Sequence, residues 1–139
     1  FDTNFGADFT IMEEATEFIE RIQKGENLPI LTSCCPAWVN FLEHNYPDKL
    51  NLASSCKSPQ GMFGSIAKNY YAPKILGINP EELYVVSVMP CVAKKYEASR
   101  EELSESGILD VDLSITTREL AKMIKEAAID FKTKILIIL

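Results

Sequence analysis

An α/β fold, with a mostly parallel sheet flanked by helices, follows from three features of the 139-residue sequence. Short apolar runs alternate with segments of helical, 3.6-residue periodicity. Several helical segments open on a capping side chain or on a proline at the first helical position. Two apolar runs end in a cysteine beside a proline, Cys34-Cys35-Pro36 and Pro90-Cys91. In open α/β sheets that is where ligands bind.

The elements follow in order. Asp8 is placed to cap a helix over 9–24 that Gly25 would end, with Ile11, Ala15, Phe18, Ile19 and Ile22 as its apolar face. Pro29-Ile30-Leu31-Thr32 reads as a buried strand leading to the first cysteines. Pro36 opens a second helix running to residue 45, with Pro47 beyond its end. Ser58-Pro59 repeats that start for a third helix reaching residue 71. Asn79-Pro80-Glu81-Glu82 makes a single turn before an apolar strand over 84–88. Residues 94–103 are charged and helical, and 111–115 alternate as a strand. Thr116 and Glu119 have capping-box spacing for a helix to residue 128, and 135–139 would form one more strand. No fixed-period repeat, low-complexity segment or linker interrupts this order, so the length predicts one domain.

At 47% apolar and 24% charged, the composition is that of an ordinary globular protein. Fourteen Lys+Arg against 20 Asp+Glu leave −6 at pH 7, which argues against a nucleic-acid surface. The longest aliphatic run, 135–139, is far short of a bilayer span. Residues 1–4 show neither the basic nor the apolar region of a signal peptide. The expectation is a cytoplasmic protein with no membrane and no nucleic-acid partner. The first residue is not Met and the chain stops inside an apolar stretch, so it reads as a piece of a larger protein.

Four cysteines in a reducing compartment point to buried thiols, metal ligands or redox and catalytic groups rather than disulfides. No CxxC spacing occurs and His44, near a helix C-terminus, is the single histidine, so a zinc ribbon or His-rich site is excluded. Cys35 and Cys91, 56 positions apart, can meet at one strand-end site, while Cys56 reads as a small buried hydrophobe. Iron–sulfur clusters typically take four cysteine thiolates. With two of the four cysteines adjacent, a complete site within the chain is not expected. Glu13, Glu14, Glu17 and Glu20 read as a solvated helix face, and Glu17 with Arg21 as an ordinary surface pair. Glu14 falls beside Phe18 at the edge of the apolar face. Lys94 and Lys95 are either solvated or aimed at an anion near Cys91.

Two stretches are more specific. Thr32-Ser33-Cys34-Cys35-Pro36-Ala37-Trp38 resembles the first signature of the iron-only (FeFe) hydrogenases, and Met89-Pro90-Cys91-Val92-Ala93-Lys94-Lys95-Tyr96-Glu97 resembles the second. The likeness extends through 1–17, through Ser54-Ser55-Cys56-Lys57-Ser58-Pro59-Gln60 and through 110–131. The third signature, which supplies two further cysteines in that family, is absent, and the tail 132–139 departs from the pattern.

The resemblance implies one incomplete lobe of the hydrogenase catalytic domain, occupying 1–139, from an enzyme that reversibly reduces protons to dihydrogen. The implied cofactor is the H-cluster, a 4Fe–4S cubane joined through a cysteine sulfur to a two-iron unit with CO, cyanide and a bridging dithiolate amine. Cys35 and Cys91 match two cubane ligands. Lys94 matches a lysine that hydrogen-bonds a cyanide, and Pro59, Gln60 and Met89 match residues lining the two-iron pocket. Glu14, Glu17 and Ser54 match a proton path to Cys34, and Glu97 matches a support for the second motif. The implied partner is an electron carrier, such as ferredoxin or a nicotinamide-linked subunit. A second reading is a hydrogenase-like iron–sulfur assembly or sensory protein without hydrogen turnover. Relatives of that kind usually alter the first motif.

Overall fold

The computed structural model describes residues 1–104 and 107–130. Helix α1 spans Asn4–Lys24, beginning ahead of the predicted cap at Asp8. The Asp2 carboxylate accepts the Asn4 amide at 2.9 Å, satisfying an otherwise orphaned first-turn donor without any help from Asp8. Gly25 ends the helix as predicted, at φ 69°, its amide donating back to Arg21 and Ile22.

The face of α1 that packs is not the apolar one. Ile11 is 65% and Ile19 55% exposed, and Phe18 and Ile22 are exposed as well. Instead Gly6 and Thr10 are buried against helix α3, Pro59–Ile66. The Thr10 hydroxyl lies 3.2 Å from the Lys57 carbonyl, which it reaches as donor just ahead of α3. Periodicity identifies an apolar stripe but not what covers it, and small residues win this contact because they let two helices approach closely.

Helix α2 spans Pro36–Asn45 as predicted, with Leu42 only 2% exposed, and a 3₁₀ turn Pro47–Leu52 follows it. The predicted strand at Pro29-Ile30-Leu31-Thr32 is a correction. Only Leu31 pairs, in a single parallel bridge to Ala53. Its amide donates to Leu52 at 2.8 Å and its carbonyl accepts from Ser54 at 2.7 Å, and pairing goes no further. The bridge still pins the first cysteine motif against the Ser54–Lys57 segment.

Ser58 caps α3 with its side chain, accepting the Gly61 amide at 3.3 Å. The rod then continues in π-helical form over Ala67–Leu76 with Pro73 inside, and so runs beyond the predicted residue 71. The turn Pro80–Glu82 carries the Asn79/Glu82 capping box. Strands β1, Val86–Met89, and β2, Leu113–Thr116, pair in parallel with Met89 opposite Thr116. The predicted helix over 94–103 divides into α4, Ala93–Ala98, and a 3₁₀ turn Glu101–Leu103. Helix α5, Thr117–Glu126, starts on the predicted capping box of Thr116 and Glu119. The architecture is thus helix-rich around a small parallel sheet. The strand predicted over 135–139 lies outside the described residues.

The closest backbone approach sets a stability test. A Cβ on Gly6 would collide with the Pro59 carbonyl oxygen and crowd Phe63 Cβ at 3.0 Å, and one on Gly64 would sit 2.5 Å from the Asp110 carbonyl oxygen. Gly6→Ala is expected to cost about 1–3 kcal/mol by forcing α1 off α3. Urea unfolding monitored by circular dichroism should show that loss as a lower midpoint with unchanged slope.

Candidate active site

Two loops and two helix starts build the site. Cys35 is the N-cap residue of α2, held in extended backbone with Pro36 directly after it. Cys91 follows β1 and precedes α4 by one residue. Cys34, Cys35 and Cys91 are all free and exposed, and only Cys91 stands at the end of a strand of the sheet. Cys35 follows the Leu31 bridge instead, which corrects the expectation of two neighbouring strand ends.

Lys94 joins the two motifs. Its ammonium donates to the Cys34 carbonyl at 2.8 Å and to Glu97 Oε2 at 2.6 Å. Both side chains of this ion pair are largely enclosed, at 13% and 9% exposure. Glu97 Oε1 accepts the hydroxyl of Ser58, the residue that caps α3. Gln60, 3% exposed, reaches across the same gap. Its amide donates to the Lys94 carbonyl at 3.2 Å and its carbonyl accepts from Ser87 of β1 at 2.8 Å. Pro59 begins α3 and Met89 ends β1, so both stand beside elements that Gln60 ties together. Lys95 points elsewhere, pairing with Glu119 at 2.6 Å.

A second cluster lies on α1. Ser54, buried at 7% exposure, donates to Glu17 Oε2 at 2.7 Å, and the Ser55 amide reaches both carboxylate oxygens at 3.1 Å. Arg21 donates to Glu17 at 2.6 Å, to the Ala53 carbonyl at 2.6 Å, and to the Asn27 and Leu52 carbonyls at 3.0 Å each. The surface-pair reading of Glu17 and Arg21 is therefore corrected: at 16% and 12% side-chain exposure they are an enclosed anchor between α1 and the loop ahead of Ser54. The sequence does hold a signal, since Gly6, Thr10, Glu17 and Arg21 share one helical face. Burial would raise the Glu17 carboxyl. The Ser54 hydroxyl, the Ser55 amide and the Arg21 guanidinium outweigh it and take the pKa from 4.5 to about 2.

The thiol in contact with this carboxylate is Cys56, at 3.6 Å from Glu17 Oε2. Burial pushes the Cys56 thiol up against a lowering by Ser54, and the charges of Glu17 and the half-buried Glu14 push the same way as burial. Among the described residues, neither the Glu14 carboxylate nor the Cys34 thiol makes a hydrogen bond. The structure thus brings Glu17 and Ser54 into direct contact and bonds neither Glu14 nor Cys34 to that pair. A cavity of about 270 Å³ lies behind the cysteine motifs, with Cys56, Ser58, Gln60 and Glu97 among its walls.

Among the described residues no three His, Cys, Asp or Glu side chains converge as a metal cage. The thiols of Cys35 and Cys91, free and exposed, suit iron only as part of a larger ligand set, and the Lys94 ammonium, bonded to the Cys34 carbonyl, suits an anionic ligand.

The profile of the iron-only hydrogenase large subunit, C-terminal domain, matches residues 1–135. This chain belongs to that family. It is 60% identical over 137 residues to an NADP-reducing hydrogenase subunit of Solidesulfovibrio fructosivorans, covering 94% of this chain and 23% of that protein. It is 52% identical to the periplasmic iron hydrogenase large subunit of Nitratidesulfovibrio vulgaris, covering 94% of this chain and 31% of that one. A variant of the apo FeFe-hydrogenase from Chlamydomonas reinhardtii superposes with a TM-score of 0.90 at 43% identity, covering 97% of this chain and 34% of the other. A cytosolic Fe–S cluster assembly factor of Danio rerio is more distant, at 38% identity over 95% of this chain and 34% of that protein. The hydrogenase-family chain thus spans between about a quarter and a third of the length of these relatives. No helix among the described residues is long and apolar enough to cross a membrane.

The Glu17 cluster generates two expectations. Its depressed carboxyl contributes stability that is present above the unfolded value near 4.5 and is lost as pH falls toward about 2. Thermal midpoints recorded between pH 5 and pH 2 should therefore fall less steeply in Glu17→Gln than in the unaltered protein. Arg21→Ala should cost about 2–3 kcal/mol, because Glu17 and the enclosed carbonyls lose their donor together. Arg21→Lys should restore only part of that in chemical unfolding, lacking the planar fork.

Proposed function

We propose that the complete protein is an iron-only hydrogenase that reversibly reduces protons to dihydrogen, and that this chain supplies one wall of its catalytic centre. The observation that carries the reading is the Lys94 bond to the Cys34 carbonyl, which gathers the first and second cysteine motifs around one enclosed cation. In this reading Cys35 and Cys91 hold two corners of the cubane of an H-cluster, and the remaining ligands come from outside this chain. When bound, that group would supply the redox-active iron at which hydrogen is made or split. Lys94 would donate to an anionic diatomic ligand of that group, a charge-assisted bond stronger than a neutral one. Pro59, Gln60 and Met89 line the two-iron side and keep water from it.

Cys34 hands over the proton. A thiol carries one exchangeable proton, and the reaction needs a proton delivered at every turnover. Glu14, Glu17 and Ser54 carry the proton inward from the surface of α1. Ionised Glu17 serves as acceptor, with the Ser54 hydroxyl already donating to it. Electrons come from a carrier such as ferredoxin or a nicotinamide-linked subunit; the relative named as an NADP-reducing subunit favours the latter. The setting is cytoplasmic, where thiols stay reduced.

The likeness to cluster-assembly factors supports a second reading, iron–sulfur assembly without hydrogen turnover. The intact Cys34, Glu14, Glu17 and Ser54 favour the hydrogenase, since a carrier of clusters has no use for a proton path.

The test separates the adjacent cysteines in the complete protein. Cys34→Ala should retain the cluster and lose turnover by roughly 10²-fold or more. Cys35→Ser should lower iron content itself. Near-normal hydrogen evolution from Cys34→Ala at matched cluster content would remove the relay role, and absence of hydrogen turnover from the unaltered protein would favour assembly. Residues 1–139 alone, offering two of four thiolates, should neither hold a competent cluster nor evolve hydrogen after reconstitution.

A further inference from the structure

We propose that Glu97 is a positioning residue: it fixes the Lys94 ammonium over the cysteine motifs and, through Ser58, locks that ammonium to the start of α3. This rests on the reading that Lys94 faces an anionic ligand of the two-iron unit.

A lysine ammonium has three N–H donors on a flexible stem, so one acceptor cannot define where the third donor points. Here Glu97 Oε2 takes one at 2.6 Å and the Cys34 carbonyl takes another at 2.8 Å. Among the described residues the third donor has no acceptor. With two directions fixed, tetrahedral geometry leaves one narrow direction for an external anion. Without Glu97 only the backbone carbonyl remains, and the ammonium can swing about it.

Glu97 itself cannot drift. It is 8% exposed, and its other oxygen accepts the Ser58 hydroxyl, while Ser58 Oγ in turn accepts the Gly61 amide. One carboxylate therefore registers the second cysteine motif against the helix that begins with Pro59 and Gln60. Gln60 forms an independent tie between α3 and the Lys94 backbone. Loss of Glu97 should therefore free the ammonium while α3 and α4 stay docked, an effect distinct from general collapse.

The experiment uses the complete protein with Glu97→Gln, Glu97→Asp, Glu97→Ala and Ser58→Ala. Its readouts are iron content after cubane reconstitution, thermal midpoint, infrared cyanide frequencies and hydrogen turnover. Cubane iron should match the unaltered protein in every variant, and the cyanide bands should shift or split in the Asp and Ala variants. Turnover should fall about tenfold in Glu97→Ala, as loss of one charge-assisted bond implies, with Gln recovering part because it still accepts. Ser58→Ala should show the same band changes in weaker form. Unchanged cyanide bands with turnover within about twofold in Glu97→Ala would overturn the proposal. Cubane iron falling together with the midpoint in Gln as well as Ala would also overturn it, revealing a purely structural role. Should Ala fail to fold, the Asp and Gln spectra decide. An unaltered protein with neither cyanide bands nor hydrogen would refute the function above, and this inference with it; normal unaltered spectra with unaffected variants would refute this inference alone.

Discussion

The Lys94–Glu97 pair is the contact on which the arrangement of the site depends. It lies where the first cysteine motif, α3 and α4 converge, and it is enclosed enough that each charge relies on protein hydrogen bonds in place of most of its water. Taking two charges from water is costly, and the cost is met only where further hydrogen bonds satisfy what the pair leaves over. The Cys34 carbonyl does this for the cation and the Ser58 hydroxyl for the carboxylate. That requirement dictates the neighbours. A cap residue with a hydroxyl must begin α3, and the chain after Thr32 must present a carbonyl to α4.

The second cluster obeys the same rule at the other end of the Ser54–Ser58 segment. Glu17 collects Ser54, the Ser55 amide and Arg21, while Arg21 collects four backbone carbonyls, those of Asn27, Asn51, Leu52 and Ala53. A loop here is held by side chains in place of a sheet ladder, which answers where its backbone hydrogen bonds go. The five residues of this segment, Ser54–Ser58, thus run from a contact with α1 at one end to a contact with α4 at the other. Both sites inherit their positions from one short segment.

Local signals in the sequence were strong where the chemistry is local. Pro36 and Asn45 bound α2 as predicted, and the Thr116/Glu119 box starts α5. Each of these boundaries is signalled within a few positions of itself, by Pro36 at the start of α2, Pro47 just past its end, and Thr116 with Glu119 at the start of α5. The strand predicted around Leu31 shrinks to one bridge because an apolar run reports burial and not the availability of a pairing partner, and among the described residues only Ala53 pairs with it. Arg21 reads as a surface residue because an i,i+4 pair looks the same whether its helix face meets water or a loop 30 residues away. The cysteine motifs were legible as motifs; that Lys94 would bind the Cys34 carbonyl across 60 positions was not, since no periodicity encodes a side chain reaching a backbone oxygen.

The faces of α1 show why polar contacts rather than apolar burial fix this geometry. Ile11, Phe18, Ile19 and Ile22 form the stripe that periodicity singles out, yet all are exposed, while the face with Gly6, Thr10, Glu17 and Arg21 makes the inward contacts. Hydrophobic attraction scales with area and is non-directional, so an apolar stripe can hold a helix in place while leaving its rotation and register loosely defined. A hydrogen bond to an ion weakens steeply when bent or stretched. A site that must present one N–H from Lys94 and one hydroxyl from Ser54 in fixed directions therefore has to be built from such bonds. The small residues matter for the same reason. Gly6 and Gly64 let backbones approach until polar side chains only a few atoms long span the gaps, and larger residues there would move the donors out of reach.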